Sequence, residues 1–170
     1  MIVADKIAEW LHEKGITTAF GIVGGGNVTL WDAITRLGKT QIISTHHEQA
    51  AVMAASAFYQ VSGRIGAVLV TTGAGSTNAI TGVVAAYMDS IPVLILSGNE
   101  ASKYLNEHTR VLGVQGYNST LVAGPFCKAI ARPWPENVIA GLNHCLKESL
   151  TPRQGPSWLD CPKDYQNAAI

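Results

Sequence analysis

The chain contains the stretch Gly66-Ala67-Val68-Leu69-Val70-Thr71-Thr72-Gly73-Ala74-Gly75-Ser76-Thr77-Asn78, in which an uninterrupted apolar run meets a glycine-rich turn. Such a run, rich in β-branched residues, is typical of a strand buried on both faces of a parallel sheet. The residues after the turn, up to residue 87, are mostly small and uncharged, which predicts a closely packed helix. The stretch therefore predicts a strand, a tight turn and a helix.

The same alternation continues along the chain. Strand composition is found at residues 18–23, 41–45, 66–72, 92–98, 128–131 and 157–160. Of these, Gln41-Ile42-Ile43-Ser44 is predicted to be a short buried strand. Helical periodicity is found around Ile7 and Leu11 and at residues 30–37, 49–61 and 135–150, whereas residues 99–124 are predicted to be irregular with short helices. Alternating strands and helices predict one α/β domain over residues 1–170, a three-layer α/β/α arrangement around a six-stranded, mostly parallel sheet.

The composition limits the possible partners. The 12 basic and 12 acidic residues cancel and form no run of either sign, which argues against nucleic acid or an anionic membrane as a ligand. Only 14% of the residues are charged, against roughly a quarter in a typical soluble domain. We therefore expect a partner chain or a further domain to cover part of the surface.

The cysteines and the N-terminus predict a cytoplasmic location. Cys127, Cys145 and Cys161 are odd in number, lie in apolar surroundings and lack metal-ligand spacing, so we expect reduced core residues and no metal site. No apolar segment approaches the ~18 residues of a membrane span, and the N-terminus leads directly into an amphipathic helix.

A single carboxylate stands out in Ser44-Thr45-His46-His47-Glu48-Gln49-Ala50-Ala51, where an apolar strand gives way to a helix of small residues. Burying Glu48 there is unfavourable unless something hydrogen-bonds it, so the position predicts a ligand. The alternative is a solvated acid that favours the helix dipole. We expect His46 and His47 to have structural roles beside it.

Two glycine-rich turns accompany Glu48 at the carboxyl edge of the predicted sheet, where open α/β sheets bind their ligands. Gly21-Ile22-Val23-Gly24-Gly25-Gly26 follows the first strand, and the turn after residue 72 follows the third. The first turn is similar to a dinucleotide-binding loop, but its spacing is not GxGxxG and no acidic residue ends the next strand to bind a ribose.

Four motifs in order resemble the N-terminal pyrimidine-binding domain of thiamin-diphosphate-dependent enzymes of the acetolactate synthase and 2-keto acid decarboxylase type. They are His47-Glu48-Gln49-Ala50-Ala51, Thr72-Gly73-Ala74-Gly75-Ser76-Thr77-Asn78, Asp89-Ser90-Ile91-Pro92-Val93, and the segment from Gly155-Pro156 to Asp160-Cys161-Pro162-Lys163-Asp164. The resemblance extends from about Ile2 to Gln166.

The resemblance implies a role for particular residues. In that family the glutamate at the Glu48 position hydrogen-bonds N1′ of the aminopyrimidine and favours its imino tautomer, through which the thiazolium C2 proton is removed. The cofactor then performs the carbanion chemistry. The other cofactor-binding positions that the resemblance implies are Gly24, Gly25, Thr72, Gly73, Ala74 and Asn78.

The chain also departs from the family pattern. The usual proline before the glycine pair is Val23, and the proline of a Gly-Pro-Gly turn is Ala74. Gln115 corresponds to the glutamine of the synthases' Phe-Gln-Glu and is a candidate substrate residue, although its neighbours differ. His108 resembles one of the paired histidines of the decarboxylases, with the first histidine missing; a solvated loop histidine is the alternative that we favour.

The resemblance further implies an enzyme, a lyase or transferase that decarboxylates or carboligates a small 2-keto acid, working as a homodimer or homotetramer with a site shared between chains. Magnesium and the diphosphate are expected to be bound by a C-terminal domain absent from these residues, so the chain alone should be inactive. FAD dependence stays open. Two alternatives are the small subunit of a split decarboxylase of the sulfopyruvate type and a degenerate interaction or regulatory module, against which Glu48 argues.

Overall fold

We describe the protein from a computed structural model, which covers residues 1–105 and 112–170. The strands are β1 (Thr18–Gly21), β2 (Gln41–Ser44), β3 (Ala67–Val70), β4 (Leu94–Asn99), β5 (Ala129–Ala131) and β6 (Ser157–Pro162). The helices are α1 (Val3–Glu13), α2 (Val28–Leu37), α3 (Glu48–Ser62), α4 (Ala74–Met88), α5 (Ser119–Ala123), α6 (Val138–Leu150) and α7 (Lys163–Gln166).

The six strands form one sheet in the order β2-β1-β3-β4-β6-β5. Every neighbouring pair is parallel, so the sheet is wholly parallel and not only mostly so. Side chains of β3 alternate between two separate cores, because successive residues of a strand point to opposite faces. Leu69 lies in the core with α1, α2 and α6, and Val68 lies in the core with α3 and α4. The predicted three-layer α/β/α fold is thereby confirmed.

Strand β2 is not buried as predicted. It lies at one edge of the sheet and pairs with β1 alone. Ile43 is 40% exposed, and Gln41 and Ser44 are exposed as well. The prediction was wrong because a short apolar run does not reveal the strand's place in the sheet, and an edge strand has a neighbour on one side only.

Helices α3 and α4 pack closely against each other through their small residues. A methyl group at Gly82 of α4 would lie 2.6 Å from Cβ of Val52 in α3 and 3.1 Å from the carbonyl oxygen of Gln49. A real Cβ does not approach another atom so closely, so glycine at position 82 sets the separation of the two helices. The small-residue composition is therefore used within this chain, on the faces that the helices present to each other.

The segment after β4 is irregular, as predicted. Its described part contains single 3₁₀ turns at Ser102–Tyr104 and Gly113–Gln115, followed by the short α5. His108 lies outside the described residues. Within residues 1–105 and 112–170, no helix is long and apolar enough to span a bilayer.

Candidate cofactor-binding site

Three turns meet at the carboxyl edge of the sheet, because β1, β2 and β3 are parallel neighbours. The turn after β1 lies directly against the turn after β3: the Gly26 amide donates to Oγ1 of Thr71 at 3.0 Å. A methyl group at Gly24 would lie 2.6 Å from the side chain of Thr71, so only glycine allows this approach. At Gly25 no atom lies within 4 Å of an added methyl group, so the described chain leaves this position open.

Asn27 fixes the shape of the first turn. Its Oδ1 accepts a hydrogen bond from the Gly24 amide at 2.7 Å, and its Nδ2 donates to the carbonyl oxygen of Ile22 at 3.1 Å. The side chain is buried, at 1% exposure. Asn27 was not predicted as a site residue. Its signal in the sequence is an asparagine immediately before an amphipathic helix, a common position for a residue that bonds nearby backbone.

Glu48 is the first residue of α3, and His47 immediately before it is the N-cap residue of that helix. Nδ1 of His47 accepts a hydrogen bond from the Gln49 amide at 3.2 Å, which satisfies one of the free donors at the helix start. His47 therefore has the structural role that was predicted. Glu48 itself is only 7% exposed, which excludes the alternative of a solvated helix-start acid.

The carboxylate of Glu48 has one hydrogen-bond donor among residues 1–105 and 112–170. Nδ2 of Asn78, in the second turn of α4, donates to Oε2 at 3.0 Å. The other oxygen, Oε1, lies 3.2 Å from the position of a methyl group added at Gly75. Glycine at position 75 thus lets α4 pass close beside Glu48.

The turn after β3 begins with Thr72 and Gly73. Gly73 has φ 68° and ψ −124°, a conformation that only glycine adopts readily. The hydroxyl of Thr72 has one proton and two acceptors, the carbonyl oxygen of Gln115 at 2.8 Å and Oδ1 of Asn99 at 3.1 Å. Gln115 is thereby brought against the predicted cofactor turn, and Ala74 beside it is exposed.

A second buried carboxylate lies at the same edge of the sheet, and the sequence analysis gave it no role. Asp160 of β6 is fully buried and accepts hydrogen bonds from Asn99 Nδ2 at 3.1 Å and from Ser119 Oγ at 2.8 Å. It also pairs with Nε of Arg132 at 2.6 Å. These contacts join β4, β6, α5 and the end of β5.

The residues that meet here suit an uncharged ring with hydrogen-bonding edges. Glu48 supplies a buried acceptor, Gly24 and Gly75 keep the backbone close, and Gly25 and Ala74 face open space. Buried polar groups are normally hydrogen-bonded, so a carboxylate with a single donor has capacity for a ligand. Across residues 1–105 and 112–170, no three His, Cys, Asp or Glu side chains converge as metal ligands would.

Comparison with known proteins identifies the family to which the chain belongs. Residues 1–118 match the family described as "Thiamine pyrophosphate enzyme, N-terminal TPP binding domain", and the chain belongs to that family.

The chain is similar to large subunits of acetolactate synthase. It is 35% identical to that of Haemophilus influenzae, with 96% of this chain and 28% of the relative aligned. It is 33% identical to the large subunit of isozyme 3 of Escherichia coli, with 98% and 28% aligned, and 32% identical to a probable large subunit of Methanocaldococcus jannaschii, also with 98% and 28% aligned. The chain thus spans 28% of the length of these relatives.

Proposed function

We propose that residues 1–170 are the pyrimidine-binding domain of a thiamin-diphosphate-dependent enzyme that decarboxylates or carboligates a small 2-keto acid, in the manner of the acetolactate synthases to which the chain is similar. The observation that carries the proposal is Glu48, a buried carboxylate with Asn78 as its one donor among the described residues. Gly25 supports it further, because no described atom lies within 4 Å of a methyl group added there and a ring could approach the first turn.

Each residue has a defined task in this proposal. Glu48 binds N1′ of the aminopyrimidine and holds a proton there, while Asn78 orients the carboxylate through Oε2. Gly24 and Gly25 let the first turn approach the ring, and the backbone of residues 72–74 contacts its edge. When bound, thiamin diphosphate supplies the carbanion chemistry at its thiazolium carbon.

The diphosphate and its magnesium ion need binding groups beyond those that we assign here. We propose that a C-terminal domain or a separate chain binds them, so that residues 1–170 alone do not catalyse. Gln115 is proposed to face the substrate, because its backbone lies on the Thr72–Gly73 turn. FAD dependence stays open, and His108 stays a candidate substrate residue with a solvated loop histidine as the favoured alternative.

The substitution Glu48→Gln tests this proposal. It preserves the volume of the side chain and one acceptor but removes the group that holds a proton at N1′. In the enzyme assembled with whatever supplies the diphosphate site, exchange of the C2 proton of bound thiamin diphosphate into deuterated water should slow by about 10²- to 10⁴-fold, as for loss of a positioned acid or base. Turnover is assayed in parallel.

Glu100 provides a matched control. It is 8% exposed, similar to Glu48, but it forms an ion pair with Lys163. Glu100→Gln should leave C2 exchange within about threefold of the parent, because the Glu100 carboxylate is paired with Lys163 and, among the described residues, has no hydrogen bond to Glu48 or Asn78. Parent-like exchange and turnover in Glu48→Gln would show that Glu48 is not the activating carboxylate.

We also propose that the chain self-associates as a homodimer or homotetramer. The low charge supports this, as do exposed apolar residues on α3 and α4: Met53 is 43% exposed, Val61 90% and Met88 64%. Sedimentation of the parent chain at tens of micromolar, on the order of the Kd of a weak interface, should show an oligomer. The substitution Met53→Glu should weaken that oligomer. A monomeric parent chain would contradict this assignment.

The cytoplasm is the location that we propose for the protein. Its three cysteines form no disulfide with one another, which suits a reducing compartment.

A further inference from the structure

The turn at residues 72–74 is formed by backbone that is flexible by itself. Gly73 has a positive φ of 68° and no side chain to restrict it. Glycine loses more conformational freedom on folding than any other residue, so an isolated turn of this sequence would populate many conformations. Some other part of the molecule must therefore hold the turn in the one conformation that it adopts here.

Residues 112–117 lie on this turn. A methyl group at Gly73 would lie 3.1 Å from Cγ of Gln115 and 3.2 Å from the carbonyl oxygen of Val114. Two hydrogen bonds run in opposite directions across the contact. Thr72 Oγ1 donates to the carbonyl oxygen of Gln115 at 2.8 Å, and Tyr117 Oη donates to the carbonyl oxygen of Gly73 at 3.1 Å.

The carbonyl oxygen of Gly73 is also the acceptor that starts α4. It accepts from the Ser76 amide at 3.1 Å and from the Thr77 amide at 3.2 Å. A change in its direction therefore disturbs the first turn of α4, and the next residue along that helix is Asn78, the donor to Glu48. The Tyr117 hydroxyl is thus linked to Glu48 through one helical turn.

The chemistry of Tyr117 suits a permanent donor. The side chain is half-buried, and burial raises the pKa of the phenol above its ordinary value of 10.0; a hydrogen bond with the Ser76 side chain opposes this rise, and the negative charge of Asp160 adds to it. The hydroxyl therefore keeps the proton with which it donates to the carbonyl oxygen of Gly73.

We propose that Tyr117 is a positioning residue, whose hydroxyl holds the turn at residues 72–74 in the conformation that binds the pyrimidine. This inference rests on the proposed function for the identity of the ligand. Tyr117 does not touch the cofactor in this assignment; it acts through the Gly73 carbonyl on the start of α4, and through Asn78 on Glu48.

The test compares Tyr117→Phe with Tyr59→Phe, a matched loss of one phenolic hydroxyl. Tyr59 Oη bonds to Gln154 Oε1 at 3.1 Å and has no contact with the turn. Without cofactor, amide hydrogen exchange at Ser76 and Thr77 should be about three- to tenfold faster in Tyr117→Phe, the range expected for loss of one neutral hydrogen bond. In the assembled enzyme, the Kd of thiamin diphosphate with Mg²⁺ should rise by a similar factor, and Tyr59→Phe should change neither quantity.

A rescue experiment separates positioning from general loosening. Ala74 is the first residue of α4, where proline is favourable because its φ is already helical and its missing amide donor is not needed. A residue before proline prefers an extended conformation, and the φ and ψ of Gly73 are the mirror image of that conformation. Because glycine has no Cβ, it adopts both forms, so Gly73 can precede a proline at position 74 without changing its conformation. Ala74→Pro added to Tyr117→Phe should restore the exchange rates at Ser76 and Thr77 and return the Kd to within about twofold of the parent.

The outcomes distinguish this inference from the proposed function. Parent-like exchange and parent-like Kd in Tyr117→Phe would overturn the positioning role alone, and so would a loss that Ala74→Pro fails to restore. Failure of the parent enzyme to bind thiamin diphosphate would overturn the proposed function and with it the cofactor role of Tyr117. The exchange comparison is made without cofactor and does not depend on that result.

Discussion

Two buried carboxylates lie at the carboxyl edge of one sheet, and their surroundings differ. Asp160 is fully buried and has three partners, Asn99, Ser119 and Arg132. Glu48 is 7% exposed and, among the described residues, has Asn78 alone. Both groups are removed from water to a similar extent, so burial does not separate a structural acid from a functional one. The difference lies in how much of each group's hydrogen-bonding capacity the fold itself uses.

This difference supports the opposite tasks that we propose for the two acids. Asp160 holds β4, β6, α5 and the end of β5 together, and little of its accepting capacity is left for a ligand. Among the described residues, Glu48 is bonded through Oε2 alone, so a ligand can complete its set of partners. A buried charge without enough partners is unfavourable, so the fold keeps Glu48 at some expense of stability. Such an expense is typical of functional sites.

The largest effect of a single substitution on stability that we expect is at Asp160. Asp160→Asn preserves shape but removes the charge that pairs with Arg132 and turns an acceptor into a donor that faces other donors. The free energy of unfolding should fall by about 3 kcal/mol, the scale for breaking a buried ion pair. Urea denaturation of the parent and variant chains measures it. A fall in the free energy of unfolding of less than about 1 kcal/mol would mean that the Asp160 contacts do not hold β4, β6 and the end of β5 together.

Alkaline pH should destabilise the same half of the molecule, the part around β4, β5 and β6. All three cysteines lie there, and burial raises the pKa of Cys127 and of Cys145 from 9.0 to about 12. Burial also raises the pKa of Cys161, to which the charge of Asp160 adds. In the unfolded chain these thiols ionise near pH 9, whereas in the folded chain they stay protonated. Their contribution to stability is therefore fully present below pH 9 and is lost as the pH rises toward 12.

At pH 10.5 the loss should be about 2 kcal/mol for each thiol, since one pKa unit corresponds to about 1.4 kcal/mol. Urea denaturation at pH 8 and pH 10.5, in the presence of a reductant, gives the difference for the parent chain. In Cys145→Ala that difference should be about 2 kcal/mol smaller, whatever the variant loses at both pH values by creating a cavity. If the difference between pH 8 and pH 10.5 were unchanged in Cys145→Ala, ionisation of Cys145 would not contribute to the loss of stability at alkaline pH.

The smallest effect should be that of Glu48→Gln on stability without cofactor. Because Glu48 has a single donor among the described residues, the amide replaces it with little loss, and we expect a change below about 1 kcal/mol in either direction. The same urea experiment as for Asp160→Asn gives the value. A loss of stability as large as that of Asp160→Asn would show that the fold depends on both carboxylates to the same extent.

Local features of the sequence predicted much of the fold. The six strands and the main helices follow from periodicity and turn residues, and the glycines at 24, 73 and 75 mark positions where the backbone has no room for a side chain or has a positive φ. Glu48 was found because an acid at the junction of an apolar strand and a helix of small residues is locally anomalous. These signals reside within a few residues of one another.

The features that were missed depend on contacts between distant parts of the chain. Asn99 and Asp160 are 61 residues apart, and Tyr117 is 44 residues from Gly73. Neither pair has a spacing that a periodic pattern reveals. The exposure of β2 was missed for a related reason: the order of strands in a sheet is set by how all the elements pack, and the four residues of β2 do not contain it.

The contact between Gly82 and Val52 has a consequence for how the proposed activity would respond to mutation. Each residue lies four positions beyond the hydrogen-bonded pair on its own helix, Gly82 after Asn78 and Val52 after Glu48. A larger residue at position 82 would push the helices apart one turn below the carboxylate and lengthen the Asn78–Glu48 bond. In a mutational scan for activity, position 82 would therefore score like a site residue. For protein engineering it offers a way to adjust Glu48 without altering any residue that we assign to cofactor binding.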